Sequence, residues 1–194
     1  MQIVYVDRDS YRNKHSTEFI SALHRRFGDF YLLPEGGSNK AALQGCAEIV
    51  TDINTPFDVI TVACGTGATL AGLATALKPE QHATGFAVLK GAEFLIRDVA
   101  EMLAENGLQT SSNWHIELDY HFGGYAKTTP GLFAFISQFK TDFGVALDAV
   151  YTGKMFYGLF DLISKGMFER GTRIVAVHSG GLQGNAGFPE LDGL

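Results

Sequence analysis

Residues Asp58 to Leu73 read DVITVACGTGATLAGL, and this stretch constrains the fold more than any other. Its first half, Asp58–Cys64, is a short continuous apolar run without the alternation of a half-exposed strand. That predicts a strand buried on both faces, the type found in parallel sheets covered by helices on either side. Its second half repeats apolar residues at helical spacing, at Leu70, Leu73, Ala74 and Leu77, before Pro79. Gly65-Thr66-Gly67 makes the whole turn between them. Strand, glycine turn and helix form the repeating unit of an open α/β sheet, where ligands lie beyond the carboxyl ends of the strands.

The rest of the chain continues the alternation, about seven times in all. Further strands are expected at Ile3–Val6, Phe30–Leu33, Thr84–Leu89, Trp114–Leu118, Ala149–Val150 and Arg173–His178. Ser16 is placed to cap a helix carrying Phe19, Ile20, Leu23 and Phe27, stopped by Gly28. Ser38 or Asn39 caps a second, with Leu43, Cys46, Ala47 and Val50 on one face. Leu95, Val99, Met102 and Leu103 stripe a third, ended near Gly107. Thr129-Pro130 opens another with proline in the first turn, and Gly153–Phe168 reads as the last. The expected fold is α/β, a mostly parallel sheet with helices on both faces, in one domain over residues 1–194.

Charge and cysteine usage narrow the function. The net charge of −6 comes with no basic run, which argues against a nucleic acid or an anionic membrane as partner. Two cysteines make no disulfide framework and point to a reducing compartment. The start, MQIVYVDRDS, has acidic residues where a signal peptide is basic and apolar. No apolar run approaches the ~18–20 residues of a membrane helix. A cytoplasmic location is therefore expected. The six histidines show no metal-ligand spacing, so no metal is expected.

Glycine clusters follow the expected strands at Glu35-Gly36-Gly37-Ser38-Asn39, at Cys64-Gly65-Thr66-Gly67-Ala68-Thr69 and at His178-Ser179-Gly180-Gly181, with Gly123-Gly124-Tyr125 a little further from its strand. Glycine lets backbone N–H groups approach an anion, and a helix start behind it adds unpaired donors and a positive dipole end. Thr66 and Thr69 add hydroxyls. The central loop is suited to a phosphate. It is not a Walker loop, since no lysine lies between Cys64 and Leu77, and a dinucleotide fingerprint would need glycine at Leu70.

Four segments in order, Glu35-Gly-Gly-Ser-Asn39, Asp58 to Leu73, Leu147-Asp-Ala-Val-Tyr-Thr-Gly-Lys154 and Val177-His-Ser-Gly-Gly-Leu-Gln-Gly184, resemble the D-cysteine desulfhydrase and 1-aminocyclopropane-1-carboxylate deaminase family. The resemblance runs from about Tyr11 to Gly184. It implies a tryptophan-synthase-β type fold and pyridoxal 5'-phosphate as cofactor. Cys64, Gly65, Thr66, Gly67, Ala68 and Thr69 would then hold the cofactor phosphate. Tyr151 would pack near the pyridine ring, Thr152, Ser179 and Gly180 would lie near the cofactor, and Tyr125 would serve the substrate side. Tyr151, Thr152 and Tyr125 are the expected catalytic set.

In the deaminase branch of this family the position of Thr152 is typically glutamate. A carboxylate there keeps the pyridine nitrogen protonated and the ring a strong electron sink, whereas a hydroxyl suits β-elimination. The implied reaction is β-elimination with deamination of a small amino acid, D-cysteine desulfhydrase-like, releasing ammonia and a 2-oxo acid. Two alternatives stand beside it: 1-aminocyclopropane-1-carboxylate deaminase, and an inactive fragment or a phosphate- or cofactor-binding module. The family's imine-forming lysine lies in an upstream Gly-Asn-Lys context that this sequence lacks. Lys14 and Lys154 are its nearest echoes, and Lys154 reads as a structural or solvated lysine. The expectation is therefore most of the large lobe, little of the small lobe, an amino-terminally incomplete fold, and self-association as a homo-oligomer, a dimer, to cover exposed surface. His178 and Cys64 read as core residues, and Leu132–Phe139 as core or subunit contact.

Overall fold

In a computed structural model of the chain, which describes residues 3–105, 107 and 113–191, four strands form one fully parallel sheet. They are β1 (Val59–Cys64), β2 (His82–Ala87), β3 (Trp114–Glu117) and β4 (Ile174–Ala176), in the order β3-β2-β1-β4. Residues 34–194 make one compact unit and residues 1–33 a second. The smaller unit holds α1 (Arg8–Arg12), capped by the Asp7 carboxylate, and α2 (Thr17–Phe27), capped by Ser16 and stopped at Gly28.

Helices cover both faces of the sheet, as the buried strand pattern requires. Alternate β1 residues Ile60, Val62 and Cys64 pack with Leu43 of α3 (Lys40–Thr51), Leu70 and Leu73 of α4 (Ala68–Ala76), and Leu95 and Val99 of α5 (Phe94–Glu105). On the other face Ala63 and Phe86 meet Met155, Leu159 and Leu162 of α7 (Thr152–Ser164), and the Thr61 hydroxyl lies 3.8 Å from the Met155 sulfur. Behind α7, α6 (Pro130–Phe143) adds its own core of Leu132, Ile136 and Phe139. The Leu132–Phe139 region is thus core. The α3–α4 crossing is close because residue 72 is glycine: a Cβ there would sit 2.7 Å from the Leu43 carbonyl oxygen.

Three expected strands do not form. Ile3–Val6 and Phe30–Leu33 carry the right side chains but have no regular structure, since β propensity needs a ladder partner to express it. Ala149–Val150 is a turn, because the Asp148 carboxylate accepts from the N–H groups of Val150, Tyr151 and Thr152 and curls the backbone into the start of α7. That helix ends at Ser164 rather than Phe168, where Gly166 turns left-handed at φ 72° and the Met167 N–H bonds back to the Leu162 carbonyl.

Candidate active site

The strand order fixes where a ligand belongs. From β1 the chain proceeds to β2 and β3 on one side, while β4 returns on the other, so the switch point lies between the carboxyl ends of β1 and β4. The segment after β1 is Gly65-Thr66-Gly67, and the one after β4 contains Ser179, Gly180 and Gly181. Both glycine loops therefore stand on the crevice edge.

The head of α4 differs from those of α2, α3 and α6. Ser16, Asn39 and Thr129 cap α2, α3 and α6 with side-chain oxygens. Gly67, left-handed at φ 82°, caps α4 with no side-chain bond. The first N–H groups of a helix have no acceptor inside it, so these point outward as anion donors. Residue 67 must be glycine here, since a Cβ would meet Val99 Cγ2 at 2.5 Å. The Ser38 hydroxyl donates to Thr66 Oγ1 at 2.8 Å, which leaves the Thr66 proton for another acceptor.

Of the residues read from the sequence, Cys64 and Ala68 bring only their backbone to this loop. Both side chains are buried in the core, and burial pushes the Cys64 thiol up to about 12. Thr69 is half-buried on the first turn of α4. Tyr151 lies across the loop: a Cβ at Gly65 would be 3.3 Å from its ring. Burial first, and then Tyr125 beside it, push the Tyr151 hydroxyl up to about 12. The two rings meet edge to face, centroids 6.0 Å apart, and Tyr125 is 58% exposed. Thus the structure brings Gly65, Thr66, Gly67, Tyr151 and Tyr125 together.

Thr152 is placed differently. It is wholly buried, and its hydroxyl donates to Asp148 Oδ2 at 2.5 Å while accepting from the Asp148 N–H at 3.0 Å. It gives its proton to Asp148 rather than to the crevice, because residue 152 opens α7 and faces back along the turn. Asp148 itself went unread in the sequence. Its carboxylate is buried and accepts from Val150, Tyr151 and Thr152 N–H groups at 2.8, 2.6 and 2.8 Å. It also ties in the loop after β4, since a Cβ at Gly181 would be 3.2 Å from its Cγ. The signal was an aspartate four residues before the first residue of α7, inside the Leu147–Lys154 segment.

Ser179 is exposed, and Gly180 is left-handed at φ 89° with open space where a Cβ would stand. His178 is a satisfied structural histidine: Nδ1 accepts from the Gly180 N–H at 3.1 Å, so Nε2 donates to the Ala146 carbonyl at 2.8 Å. Lys154, on the first turn of α7, likewise has its hydrogen bonds satisfied within the fold. It is wholly buried, and Nζ donates to the carbonyls of His121 and Gly124 at 2.9 and 2.7 Å. Among the described residues no metal-binding cluster of histidine, cysteine or acidic groups occurs, and no helix is long and apolar enough to cross a membrane.

Comparison with known proteins gives the chain its family. The chain is 38% identical over 196 residues to a Pyrococcus furiosus protein carrying a provisional 1-aminocyclopropane-1-carboxylate deaminase name, a match covering 93% of this chain and 59% of that protein. It is 34% identical over 172 residues to the bifunctional D-cysteine desulfhydrase/1-aminocyclopropane-1-carboxylate deaminase of Arabidopsis thaliana, a mitochondrial protein, covering 79% and 42% respectively. A crystal structure described as an ACC deaminase homologue superposes with a TM-score of 0.78 at 34% identity, covering 94% of this chain and 59% of that one. The chain thus spans about three-fifths or less of the length of these relatives. Residues 1–180 match the family model described as pyridoxal-phosphate dependent enzyme. By that match over nearly the whole chain, the chain belongs to the pyridoxal-phosphate-dependent enzymes.

Proposed function

We propose that this chain holds pyridoxal 5'-phosphate at the head of α4 and serves the β-elimination and deamination of a small amino acid, D-cysteine desulfhydrase-like, yielding ammonia and a 2-oxo acid. The observation that carries the reading is the Gly65–Thr69 turn, where the head of α4 has no side-chain cap, with Tyr151 lying across it. The bound cofactor supplies the electron sink for a carbanion at the substrate α-carbon.

The residues of this chain do the rest. Backbone N–H groups of the Gly65–Thr69 turn, with the Thr66 hydroxyl, bind the phosphate and fix the ring's tail. Tyr151 forms one wall. Its hydroxyl, held protonated by burial through neutral pH, is a proton donor there and not a base. Tyr125 extends that wall toward solvent and the substrate. Thr152 acts behind the wall, holding Asp148, which in turn orders the start of α7. Ser179 and Gly180 border the crevice from the β4 side. Lys154 is not available as the covalent anchor while it donates to two buried carbonyls.

1-Aminocyclopropane-1-carboxylate deamination is the second reading, supported by the paired activities in the name of the Arabidopsis relative. Unpaired Cys46 and Cys64 support a reducing, cytoplasmic setting. The exposed apolar side chains Phe143, Phe160, Ile163 and Met167 on and just beyond α6 and α7 support self-association as a homodimer.

An absorbance titration of the pure chain with pyridoxal phosphate, followed by borohydride reduction and intact-mass analysis, tests the reading. Binding that inorganic phosphate competes away is the expected result. A mass increase mapped to one lysine would identify the anchor, and Lys154 should not be it. Failure to bind at millimolar cofactor would reject the proposal. Ammonia release from D-cysteine against 1-aminocyclopropane-1-carboxylate separates the two activities, and binding without turnover of either marks a cofactor-binding module.

A further inference from the structure

We infer that Lys154 is a positioning residue: through the carbonyls of His121 and Gly124 it holds the loop of residues 121–127 in the left-handed shape that presents Tyr125 to Tyr151. Its meaning for catalysis rests on the cofactor site proposed above; its geometry does not.

The loop does not hold this shape by its own preference. Phe122, Gly123, Gly124 and Ala126 all have positive φ, at 55°, 99°, 124° and 53°. Tyr125 alone between them does not. Glycine accepts this at no steric cost, but phenylalanine and alanine do not, so the surroundings must over-determine the backbone. Two turns do part of the work. The Gly124 N–H bonds to the His121 carbonyl at 3.0 Å, and the Lys127 N–H bonds to the Gly124 carbonyl at 3.1 Å. Lys154 Nζ donates to those same two carbonyls, at 2.9 and 2.7 Å. One ammonium thus ties the two turns to each other and to the first turn of α7. The Phe122 ring adds an edge contact on Tyr157, centroids 5.0 Å apart.

Tyr125 has little other support. It is mostly exposed and meets the site through its edge-to-face contact with Tyr151, itself seated on Gly65. Lysine suits the task because its long apolar stem fits the core while its charged head strengthens both bonds. The arrangement is not an efficient source of stability. No described carboxylate lies within ion-pair distance of Lys154, burial pulls its amine down to about 8, and the Asp148 charge only partly opposes this. A buried cation that costs stability and fixes a strained loop is better explained by the placement of Tyr125 than by folding.

The test uses the full chain without cofactor, as Lys154→Met and Lys154→Gln, read by the nuclear Overhauser cross-peak between the Tyr125 and Tyr151 rings and by the amide resonances of the sheet. Methionine keeps the stem and removes every donor; glutamine keeps two N–H donors without charge. The expected result is a folded sheet in both, loss of the cross-peak in Lys154→Met, and partial retention in Lys154→Gln. A cross-peak of unchanged intensity in folded Lys154→Met would overturn the inference. So would a Lys154→Gln chain that fails to fold, which would assign the lysine to core stability. Pyridoxal phosphate titration of the unsubstituted chain is read separately, so loss of the ring contact and failure of the cofactor reading remain distinguishable.

Discussion

Asp148→Asn tests the most densely bonded side chain of the site. Oδ1 accepts from Val150 and Tyr151, and Oδ2 accepts from the Thr152 N–H and hydroxyl. Asparagine keeps one oxygen. Its NH2 group must then face the Thr152 N–H, donor against donor, in a place no water reaches. A hydrogen bond to a charged group contributes about 1.5–3 kcal/mol, and leaving its donor buried and unpaired costs a similar amount. Removing a negative charge from the α7 head costs roughly 0.5 kcal/mol more. The expected loss is therefore about 3 kcal/mol, or roughly 6–12 °C in the unfolding midpoint of a chain this size. Urea unfolding at neutral pH with an unchanged m-value reads it directly. Thr152→Val, which removes only the hydroxyl, should cost about 1–2 kcal/mol, and the double variant should cost less than the two single variants together, because they share one bond. A loss below about 0.5 kcal/mol for Asp148→Asn, or strict additivity, would show that this network does not hold the start of α7.

Two further outcomes follow from the same physical reasoning. Gly67→Ala should destabilise the chain by about 2–4 kcal/mol, from its left-handed φ and the collision with Val99, and should weaken phosphate-competable cofactor binding; chemical denaturation with cofactor titration measures both. Stability should rise with pH from about 8, because folded Lys154 releases its proton near 8 while the unfolded lysine keeps it up to 10.5. It should fall again above pH 9 and 10, where the unfolded chain ionises Cys64 and then Tyr120 and Tyr151, all three held to about 12 in the fold. Urea midpoints taken across pH 7–11 should pass through a maximum, and in Lys154→Met the rising limb should disappear.

Much of this architecture was legible because its signals are local. The Asp58–Cys64 run, the helical spacing from Leu70, and the caps at Ser16, Asn39 and Thr129 each depend on a few neighbouring residues, and each has its counterpart in the fold. What failed depended on partners. Ile3–Val6 and Phe30–Leu33 look like strands, but a strand exists only through the chain beside it. Ala149–Val150 was misread because a carboxylate one residue earlier takes the N–H groups a ladder would need. The glycine turn between β1 and α4 could be read from its residues. Thr152 was located in its motif, yet nothing in the sequence told that its hydroxyl turns back to Asp148. Nor did spacing reveal that Lys154 reaches His121 and Gly124, some thirty residues upstream.

The contact between Glu35-Gly36-Gly37-Ser38 and the loop after β1 bears on how this protein can evolve. At Gly36, φ 66°, a Cβ would lie 2.7 Å from both Thr66 Oγ1 and Cγ2, and two residues later Ser38 bonds that same oxygen. The threonine side chain fills the volume that glycine vacates. Positions 36 and 66 therefore cannot drift independently: a side chain at 36 demands a smaller residue at 66, and a smaller residue at 66 strands the Ser38 hydroxyl. Substitutions that reach this pair should arrive together, so a loop nearly thirty residues away in sequence inherits the constraint placed on the glycine turn after β1.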